Sequence, residues 1–503
     1  MVYCKDEGTY SQPRGIYSYQ RRIDSLYNKA NYMRIWLCRY QYLSLYGPEY
    51  TQLENNQPKM YFDSLINQKD AAELDSIIDY ASRHGISIMP CFFTFGDFEP
   101  YNSSHPDVSV WENNPFHTIL GLQNPYDYFW NEEAYRITKN LIRYIIARWG
   151  YATNIMAWEL WNEVGKLFES YPGTDCQKNA IKWHHDMASY IREIDPFHHC
   201  ITTSTSDNNS IFYNTGFNDM DFVQHHKYEN INTALLKKKL SYNAFTNVID
   251  GHNSYPTKPI FLGELGFSAN DLVHIEKDPK GVELHNVLWS SFFTSGMGSS
   301  SCWWWDYLDI QNLYSVFKPV YNFSRNLPLL SSTFSGYFNG LYSHDTDSLY
   351  FFGNLESYYI KNQTDDTIIG WCQDAAYSYQ SLRRLTDYVN ASGTTFIENG
   401  VFDPDGYVYT LNPLKKPQPI AYSDHITIRV NRNLPSTTEY LVRWYNTETG
   451  EIYPFEATTV LIQSTLTYNY ISVEIPSSII NFQQNIVNNT FGDAVFVITR
   501  LHL

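Results

Sequence analysis

The sequence predicts an α/β protein in which a (β/α)8 TIM barrel over residues 1–334 is followed by an antiparallel β-sandwich domain over residues 335–503. Apolar runs of strand length alternate with amphipathic helical segments up to about residue 305, which is typical of a parallel barrel. Beyond about residue 335 the helical periods stop and short alternating runs follow, which favours a sandwich. A barrel of about 250 residues also leaves room for a second module in this chain.

Two of the apolar runs end on a carboxylate. Residues 154–161 include two tryptophans and close on Asn162 and Glu163, and residues 259–263 close on Glu264. Strands of this kind are buried on both faces, and the active site of a barrel lies at the carboxyl ends of its strands. A single Asn-Glu pair could merely cap a helix or face water. Two such strand ends supply the paired carboxylates that glycoside hydrolysis requires.

These motifs resemble those of the clan A glycoside hydrolases, specifically the cellulase family (family five) and its mannanase-like relatives. The resemblance covers roughly residues 15–330. It implies that Glu163, after Asn162 at the end of the fourth strand, is the acid/base. It also implies that Glu264, at the end of the seventh strand, is the nucleophile.

Three further polar residues lie in predicted strands. Arg34 interrupts an apolar strand at 31–37, where an arginine is costly unless paired, so it is either a structural ion-pair member or a site residue. The resemblance implies the second role, a hydrogen bond to the nucleophile. His226 and Tyr228 share a face of the sixth strand, and the resemblance implies that the tyrosine also bonds the nucleophile. A satisfied polar cluster at a strand end is the alternative interpretation.

No metal or cofactor is predicted. The neighbouring residues His225 and His226 point to opposite faces of a strand, so they cannot readily bind one ion. Three consecutive tryptophans close the predicted eighth strand, and at least one should reach the barrel mouth, where an indole can stack on a pyranose. The resemblance implies a tryptophan on the floor of the cleft, for which Trp304 or Trp305 is the candidate.

The number of predicted barrel strands is one too few. Seven strands are predicted, at 31–37, 86–93, 155–161, 199–204, 221–226, 259–264 and 300–305, and helices are predicted at 17–30, 70–84, 131–149, 177–194 and 280–296. Only residues 2–4 before the first helix look like a strand. The first strand is therefore predicted to be short or missing, which would leave unpaired strand edges. In the second domain, strands are predicted at 348–352, 367–371, 439–445 and 494–498.

Composition limits the partners. The chain has 36 basic and 53 acidic residues and a formal charge of −17, which disfavours nucleic acid and anionic membranes. No run of 18 apolar residues occurs, so no transmembrane helix is predicted. Neutral carbohydrate is compatible with this balance, and an aromatic content of 17% can serve both sugar stacking and core packing.

Localisation stays open. The N-terminus lacks the pattern of a signal peptide, and seven irregularly spaced cysteines indicate neither a zinc site nor a full disulfide framework. Six Asn-x-Ser/Thr sequons would suit a secreted glycoprotein, although an Asn-rich chain produces sequons by chance; they begin at Asn102, Asn208, Asn322, Asn362, Asn390 and Asn488.

The predicted function is that of a retaining glycosidase that acts by double displacement on a β-linked polysaccharide or oligosaccharide. The alternative is an inactive carbohydrate-binding pseudoenzyme that keeps the cleft. Intact glutamates together with Arg34, Asn162 and Tyr228 favour the enzyme. Retention predicts carboxyl groups about 5–5.5 Å apart. The residues do not distinguish glucan from mannan, endo from exo action, or one oligomeric state from another.

Overall fold

A computed structural model describes most of the chain. The residues described are 2–3, 16–38, 43–54, 57–100, 111–170, 173–206, 211–229, 240–268, 274–275, 278–294, 296–325, 327, 334–339, 355–374, 401–402, 408–409, 425–431, 433–435, 437–453, 458–464, 469–475 and 493–501. The chain divides into two compact units. The first comprises Met1–Lys227, Asp250–Glu264 and Ser301–Asp309, and the second comprises Tyr228–Ile249, Leu265–Ser300 and Ile310–Leu503. The predicted domain boundary at residue 335 stays a prediction.

The secondary structure is mixed. The strands are β1 (Val2–Tyr3), β2 (Tyr32–Trp36), β3 (Gly47–Glu54), β4 (Gln57–Tyr61), β5 (Ser87–Thr94), β6 (Ala157–Asn162), β7 (Cys200–Thr202), β8 (Ser204–Thr205), β9 (Val223–Glu229), β10 (Ile260–Phe267), β11 (Phe334–Asn339), β12 (Leu355–Asn362), β13 (Thr367–Asp374), β14 (Val401–Phe402), β15 (Val408–Tyr409), β16 (His425–Val430), β17 (Glu439–Tyr445), β18 (Thr458–Ser464), β19 (Asn469–Glu474) and β20 (Asp493–Arg500). The helices are α1 (Ile16–Leu26), α2 (Gln68–Arg83), α3 (Phe95–Phe98), α4 (Pro115–Thr118), α5 (Glu132–Trp149), α6 (Gly165–Ser170), α7 (Thr174–Ile194), α8 (Ile211–Thr215), α9 (Leu240–Ser254), α10 (Val282–Phe292), α11 (Trp305–Gln311) and α12 (Lys318–Arg325). Each of the five predicted helices is present.

Parallel strands carry the polar residues singled out above. One sheet has the order β1-β2-β5-β6-β7, and its neighbours are parallel. A second sheet has the order β10-β9-β8, and β8 and β9 are parallel. All residues of β2, β6 and β10 are buried, as expected for strands covered on both faces.

The first strand is short, as predicted. β1 has two residues, which pair in parallel with Met33 and Arg34 of β2. The predicted fifth strand is divided into β7 and β8, which belong to different sheets. Closure of these strands into a (β/α)8 barrel stays a prediction.

The predicted strand at 300–305 is wrong. Ser301 donates a backbone hydrogen bond to the carbonyl of Leu262 (3.0 Å), and Cys302 forms only an isolated bridge. The backbone N–H of Trp305 then turns back onto the carbonyl of Trp303 (2.8 Å), and α11 begins at Trp305. Asp306 in the first turn of α11 favours a helix start, because a negative charge complements the helix dipole.

Helix boundaries follow local chemistry. In α2, the residues Leu74, Ile77, Ile78 and Ala81 are buried at helical spacing. The chain turns at Gly85, whose φ of +66° lies in the left-handed region. The Asn131 side chain caps α5 by accepting a hydrogen bond from the N–H of Ala134 (2.9 Å).

The second unit contains an antiparallel sheet of eight strands in the order β11-β12-β13-β20-β17-β18-β19-β16. Its buried side chains form one core, which includes Ile368, Ile428, Trp444, Ile471 and Phe496. The backbone N–H of Arg429 on β16 donates to the hydroxyl of Tyr359 on β12 (3.3 Å), although these strands are not neighbours in the sheet. Every strand pair of this sheet is antiparallel, as predicted, and its arrangement as a sandwich stays a prediction.

Three of the predicted strands of this sheet are present, in β13, β17 and β20. The predicted strand at 348–352 lies outside the described residues, as do the sequons at Asn102, Asn208, Asn390 and Asn488. Among the helices that the structure describes, none is long and apolar enough to cross a membrane.

Candidate active site

The structure brings Glu163 and Glu264 together. Glu163 directly follows β6, Glu264 lies in β10, and both are almost fully buried. His226 of β9 lies between them, with its Nδ1 3.1 Å from Oε1 of Glu163 and 3.3 Å from Oε1 of Glu264. One oxygen of each carboxylate and a ring nitrogen of His226 all lie within 4.8 Å of one another. This proximity is compatible with the carboxyl spacing of about 5–5.5 Å in retaining glycosidases.

Arg34 anchors the carboxylate of Glu264. Its Nη1 donates to Oε1 of Glu264 at 2.9 Å, and its Nη2 donates to Oδ1 of Asn162 at 2.7 Å. The guanidinium is fully buried, so these interactions are poorly screened by water. The arginine that the sequence placed in an apolar strand is thus a member of this cluster.

A third carboxylate, Glu159, belongs to the cluster and was not predicted from the sequence. Arg34 donates through Nε and Nη2 to its two oxygens, and Gln224 donates through Nε2 to Oε1 at 2.7 Å. Glu159 is fully buried in β6. A charged residue inside an apolar strand was the signal that singled out Arg34, and the same signal was present at Glu159.

Electrostatics keep Arg34 charged and His226 neutral. Burial lowers the pKa of Arg34, but the charge and hydrogen bonds of Glu159 outweigh it and hold that pKa above its ordinary value. Burial lowers the pKa of His226 to about 4, against the opposing effect of Glu264, so the imidazole is neutral near pH 7. Because Nδ1 faces two carboxylate oxygens, we assign its single proton to Nδ1.

The other ring nitrogen of His226 faces β10 closely. Its Nε2 is buried and has no hydrogen-bond partner among the described residues. A Cβ atom at Gly263 would lie 2.8 Å from this Nε2 and 2.6 Å from Cγ of Gln224. Only glycine allows β10 to approach β9 this closely beside Glu264.

The backbone at Glu163 is unusual. Its φ is +51°, in the left-handed region that residues other than glycine rarely adopt. The N–H of Glu163 donates to Oγ of Ser204 (3.0 Å), and this hydroxyl is 3.4 Å from the carbonyl of Trp161, to which it donates. Ser204 thus holds the strained end of β6, a conformation often found at functional sites.

The three predicted aromatic site residues, Tyr228, Trp304 and Trp305, differ in how deeply they are buried. Tyr228 lies two residues after His226 on β9 and is half-buried; its bond to the nucleophile stays a prediction. Trp304 is half-buried, whereas Trp305 is buried, with the guanidinium carbon of Arg22 4.8 Å from its ring centroid. The cleft role proposed for these two tryptophans stays a prediction.

A pair of aromatic rings beside Arg34 was not predicted from the sequence. The ring of Trp36 packs against that of Trp303 with 4.7 Å between centroids, and the guanidinium carbon of Arg34 lies 5.7 Å from the centroid of the Trp36 ring. Trp303 is half-buried, so part of its surface remains accessible. The position of Trp36, two residues after Arg34 on β2, was the available signal.

One oxygen each of Glu163 and Glu264 and a ring nitrogen of His226 are also close enough together to bind one metal ion. However, the permanent positive charge of Arg34 lies on the same carboxylate of Glu264 and disfavours a second cation there. A cluster of this composition is suited to acid–base and nucleophilic chemistry. Two carboxylates of this kind, one of them anchored by a cation, are the groups needed to break a glycosidic bond.

A parallel five-stranded sheet, with one buried glutamate directly after β6 and a second within β10, is compatible with a fold like that of the clan A glycoside hydrolases. No family model matches the chain, and no curated protein does. A proposed glycoside hydrolase from Bacteroides vulgatus ATCC 8482 is similar in structure, with 12% identity, a TM-score of 0.51, and coverage of 100% of this chain and 78% of that one. This likeness confirms at the level of fold the resemblance found in the motifs.

Two solved mannanases are also similar over part of the chain, with TM-scores too low to carry an argument. The endo-1,4-β-D-mannanase of Thermotoga petrophila has 16% identity, a TM-score of 0.40, and coverage of 59% of this chain and 85% of that one. The β-mannanase of the blue mussel Mytilus edulis has 12% identity, a TM-score of 0.39, and coverage of 60% of this chain and 84% of that one.

Proposed function

We propose that this protein is a retaining glycoside hydrolase that cleaves O-glycosidic bonds in a β-linked polysaccharide or oligosaccharide. The observation that carries the proposal is the buried pair of Glu163 and Glu264, with His226 between them and Arg34 on Glu264. A closed (β/α)8 barrel is part of the proposal, since it places the ends of all parallel strands around one pocket.

In the first step Glu264 attacks the anomeric carbon. A bond forms between that carbon and a carboxylate oxygen of Glu264, while the bond to the leaving oxygen breaks and Glu163 gives this oxygen its proton. The positive charge of Arg34, 2.9 Å from Oε1 of Glu264, favours the ionised nucleophile. In the second step Glu163 removes a proton from water, the water oxygen bonds to the anomeric carbon, and Glu264 is released.

His226 supports both steps. Negative charge resides on Glu264 before the attack and on Glu163 in the glycosyl-enzyme. The Nδ1–H of the neutral imidazole lies within reach of both carboxylates and donates to whichever one is ionised. A charged imidazolium would hold both glutamates ionised and so deprive Glu163 of its proton, so a pKa of about 4 for His226 suits this role.

Carbohydrate contacts are assigned to the remaining predicted residues. Asn162 presents an amide beside the catalytic pair, and Tyr228 follows on the strand that carries His226. The half-buried Trp304 supplies an indole ring, and the half-buried Trp303 is an additional candidate for stacking on a pyranose face, whereas Trp305 is buried against Arg22. An inactive binding protein would not need a neutral histidine shared between two carboxylates.

The test is a screen of the purified protein on β-glucans, β-mannans and aryl β-glycosides. We expect hydrolysis of at least one substrate, and proton NMR of the first product should show the β-anomer, which is the mark of retention. The control is Glu264→Ala, which should be inactive. No hydrolysis on the whole panel, or an α-anomer as the first product, would contradict the proposal.

A further inference from the structure

Glu159 is a third buried carboxylate beside the catalytic pair, and the mechanism above gives it no task. It lies in β6, four residues before Glu163, and its side chain is inaccessible to solvent. Burying a charge is costly unless that charge is paired and hydrogen-bonded. The contacts of Glu159 therefore indicate what the charge does.

Each contact of Glu159 described above involves a donor. Arg34 holds its two oxygens in a bidentate pair, and the amide of Gln224 donates to Oε1 at 2.7 Å. Burial, and then the charge of Glu159, raises the pKa of the Cys91 thiol. A carboxyl group surrounded by donors acts as an acceptor, which is the ionised form.

The bidentate pair determines where Arg34 points. A guanidinium is planar and rigid, so fixing its Nε and Nη2 edge on Glu159 also fixes the direction of Nη1. That Nη1 donates to Oε1 of Glu264 at 2.9 Å. One cation thus faces two carboxylates, and the three groups together carry a charge of −1. Glu264 contacts a cation that Glu159 has already largely neutralised.

We infer that Glu159 is a positioning residue for the nucleophile: it orients Arg34 toward Glu264 and neutralises part of the arginine charge, so that Glu264 stays reactive. A carboxylate that had the whole charge of Arg34 to itself would be a weaker base and a weaker nucleophile. The inference rests on the proposed function and names a residue that tunes it.

Other groups nearby must stay constant in a test. Arg34, Glu163 and His226 surround Glu264, and Arg34, Tyr32 and Cys91 surround Glu159. The two variants used below leave all of these residues unchanged. Any change in the titration of Glu264 then reports on Glu159 and on the amide that contacts it.

The first variant is Glu159→Gln, which keeps the size of the side chain and removes its charge. The full charge of Arg34 then acts on Glu264, so the acidic limb of the pH profile of kcat/KM should move down by about one pH unit. The rate of the first step should fall by about tenfold or more, because the nucleophile is weaker and the arginine less well oriented.

The matched variant is Gln224→Met, which removes only the third donor to Glu159. Without that donor the carboxylate binds Arg34 more strongly, so the acidic limb should move to higher pH, by less than in the first variant. If Glu159 had only a structural role, both variants would lose activity without moving the acidic limb of the pH profile in opposite directions. If Glu159→Gln does not fold, the shift of the acidic limb in Gln224→Met tests the inference by itself. An unchanged acidic limb in both variants, or shifts of that limb in the same direction, would overturn the inference.

A second readout does not need activity. Protein labelled with carbon-13 at the glutamate carboxyl groups gives the titration of Glu264 by NMR, and the loss of one signal in Glu264→Gln assigns it. A lower pKa of Glu264 in Glu159→Gln supports the inference, and an unchanged pKa refutes it, even if no substrate is cleaved. Failure of the proposed function would instead appear as absence of hydrolysis by the unmodified protein.

Discussion

Glu163 and Glu264 share a histidine but differ in their other neighbours. Glu264 accepts a hydrogen bond from Arg34, whereas the backbone of Glu163 is held in the left-handed region by Ser204. A cation at this distance favours the ionised form of Glu264. Such a difference between two carboxylates is what allows one to be a nucleophile and the other to exchange a proton.

Kinetics of single variants should separate these roles. Glu264→Ala removes the proposed nucleophile, so activity should fall by more than about a thousandfold on every substrate. Glu163→Ala removes only proton transfer. Its activity on polysaccharide should fall by about a hundredfold or more, while an aryl glycoside with an acidic phenol, which needs little protonation, still forms the glycosyl-enzyme. Added azide should then restore turnover and yield a β-glycosyl azide.

The control for both variants is Glu133→Ala, an exposed glutamate on α5 that pairs with Arg136, and its kinetics should match those of the unmodified protein. Full polysaccharide activity of Glu163→Ala, or unimpaired activity of Glu264→Ala, would show that the roles assigned here are wrong.

At the scale of elements, Asp493 joins several parts of the second unit. His285 of α10 contacts this carboxylate through Nε2 at 2.7 Å, and Trp371 of β13 donates to the same oxygen. Thr447 donates to the other oxygen at 2.5 Å. All four residues are buried, so one side chain on β20 satisfies polar groups from a helix, a strand and a turn.

Replacing Asp493 with Ala should therefore destabilise the second unit by about 2–4 kcal/mol, because buried polar groups lose their acceptor. The control is Asp366→Ala, whose partner Arg500 is partly exposed and where the loss should stay below about 1 kcal/mol. Urea unfolding monitored by tryptophan fluorescence measures both. Equal losses in the two variants would argue against a special role for Asp493.

At the scale of the molecule, two buried histidines link stability to pH. Burial lowers the pKa of both His184 and His226 to about 4. The unfolded chain, with histidine pKa values near 6.5, binds more protons than the folded one between pH 4 and 6.5. The free energy of unfolding should therefore rise with pH through this window by about 3 kcal/mol for each histidine, and level off above it.

Half-buried Glu73 acts in the opposite direction. Burial, followed by the charge of Asp70, raises its pKa to about 7, so it favours the folded state as pH falls below that value. Solvent weakens this effect, and the histidines should dominate. Urea unfolding at several pH values between 4.5 and 7.5 measures the slope, and His184→Gln should make it clearly shallower. An unchanged slope in that variant would contradict the prediction.

Much of this protein was predictable from the sequence alone. Local spacing predicted five of the described helices and about half of the described strands, because amphipathic periods and caps act within a few residues. Apolar runs that end on Glu163 and Glu264 predicted the paired carboxylates, since the ends of parallel strands converge. The lone charge of Arg34 in an apolar strand predicted a buried pairing, and the family resemblance predicted Glu264 as a partner, but neither predicted Glu159.

Only the tertiary structure decided the rest, because it depends on contacts between residues far apart in the chain. Glu159 and Arg34 are separated by more than a hundred residues, so no local pattern assigned the one to the other. The position of His226 between two carboxylates, and its low pKa, depend on three strands meeting. The run of tryptophans at 303–305 was predicted to be a strand, but a helix begins at Trp305 in the structure. Local sequence specifies which segments form, whereas burial and long-range pairing determine what each charged group does.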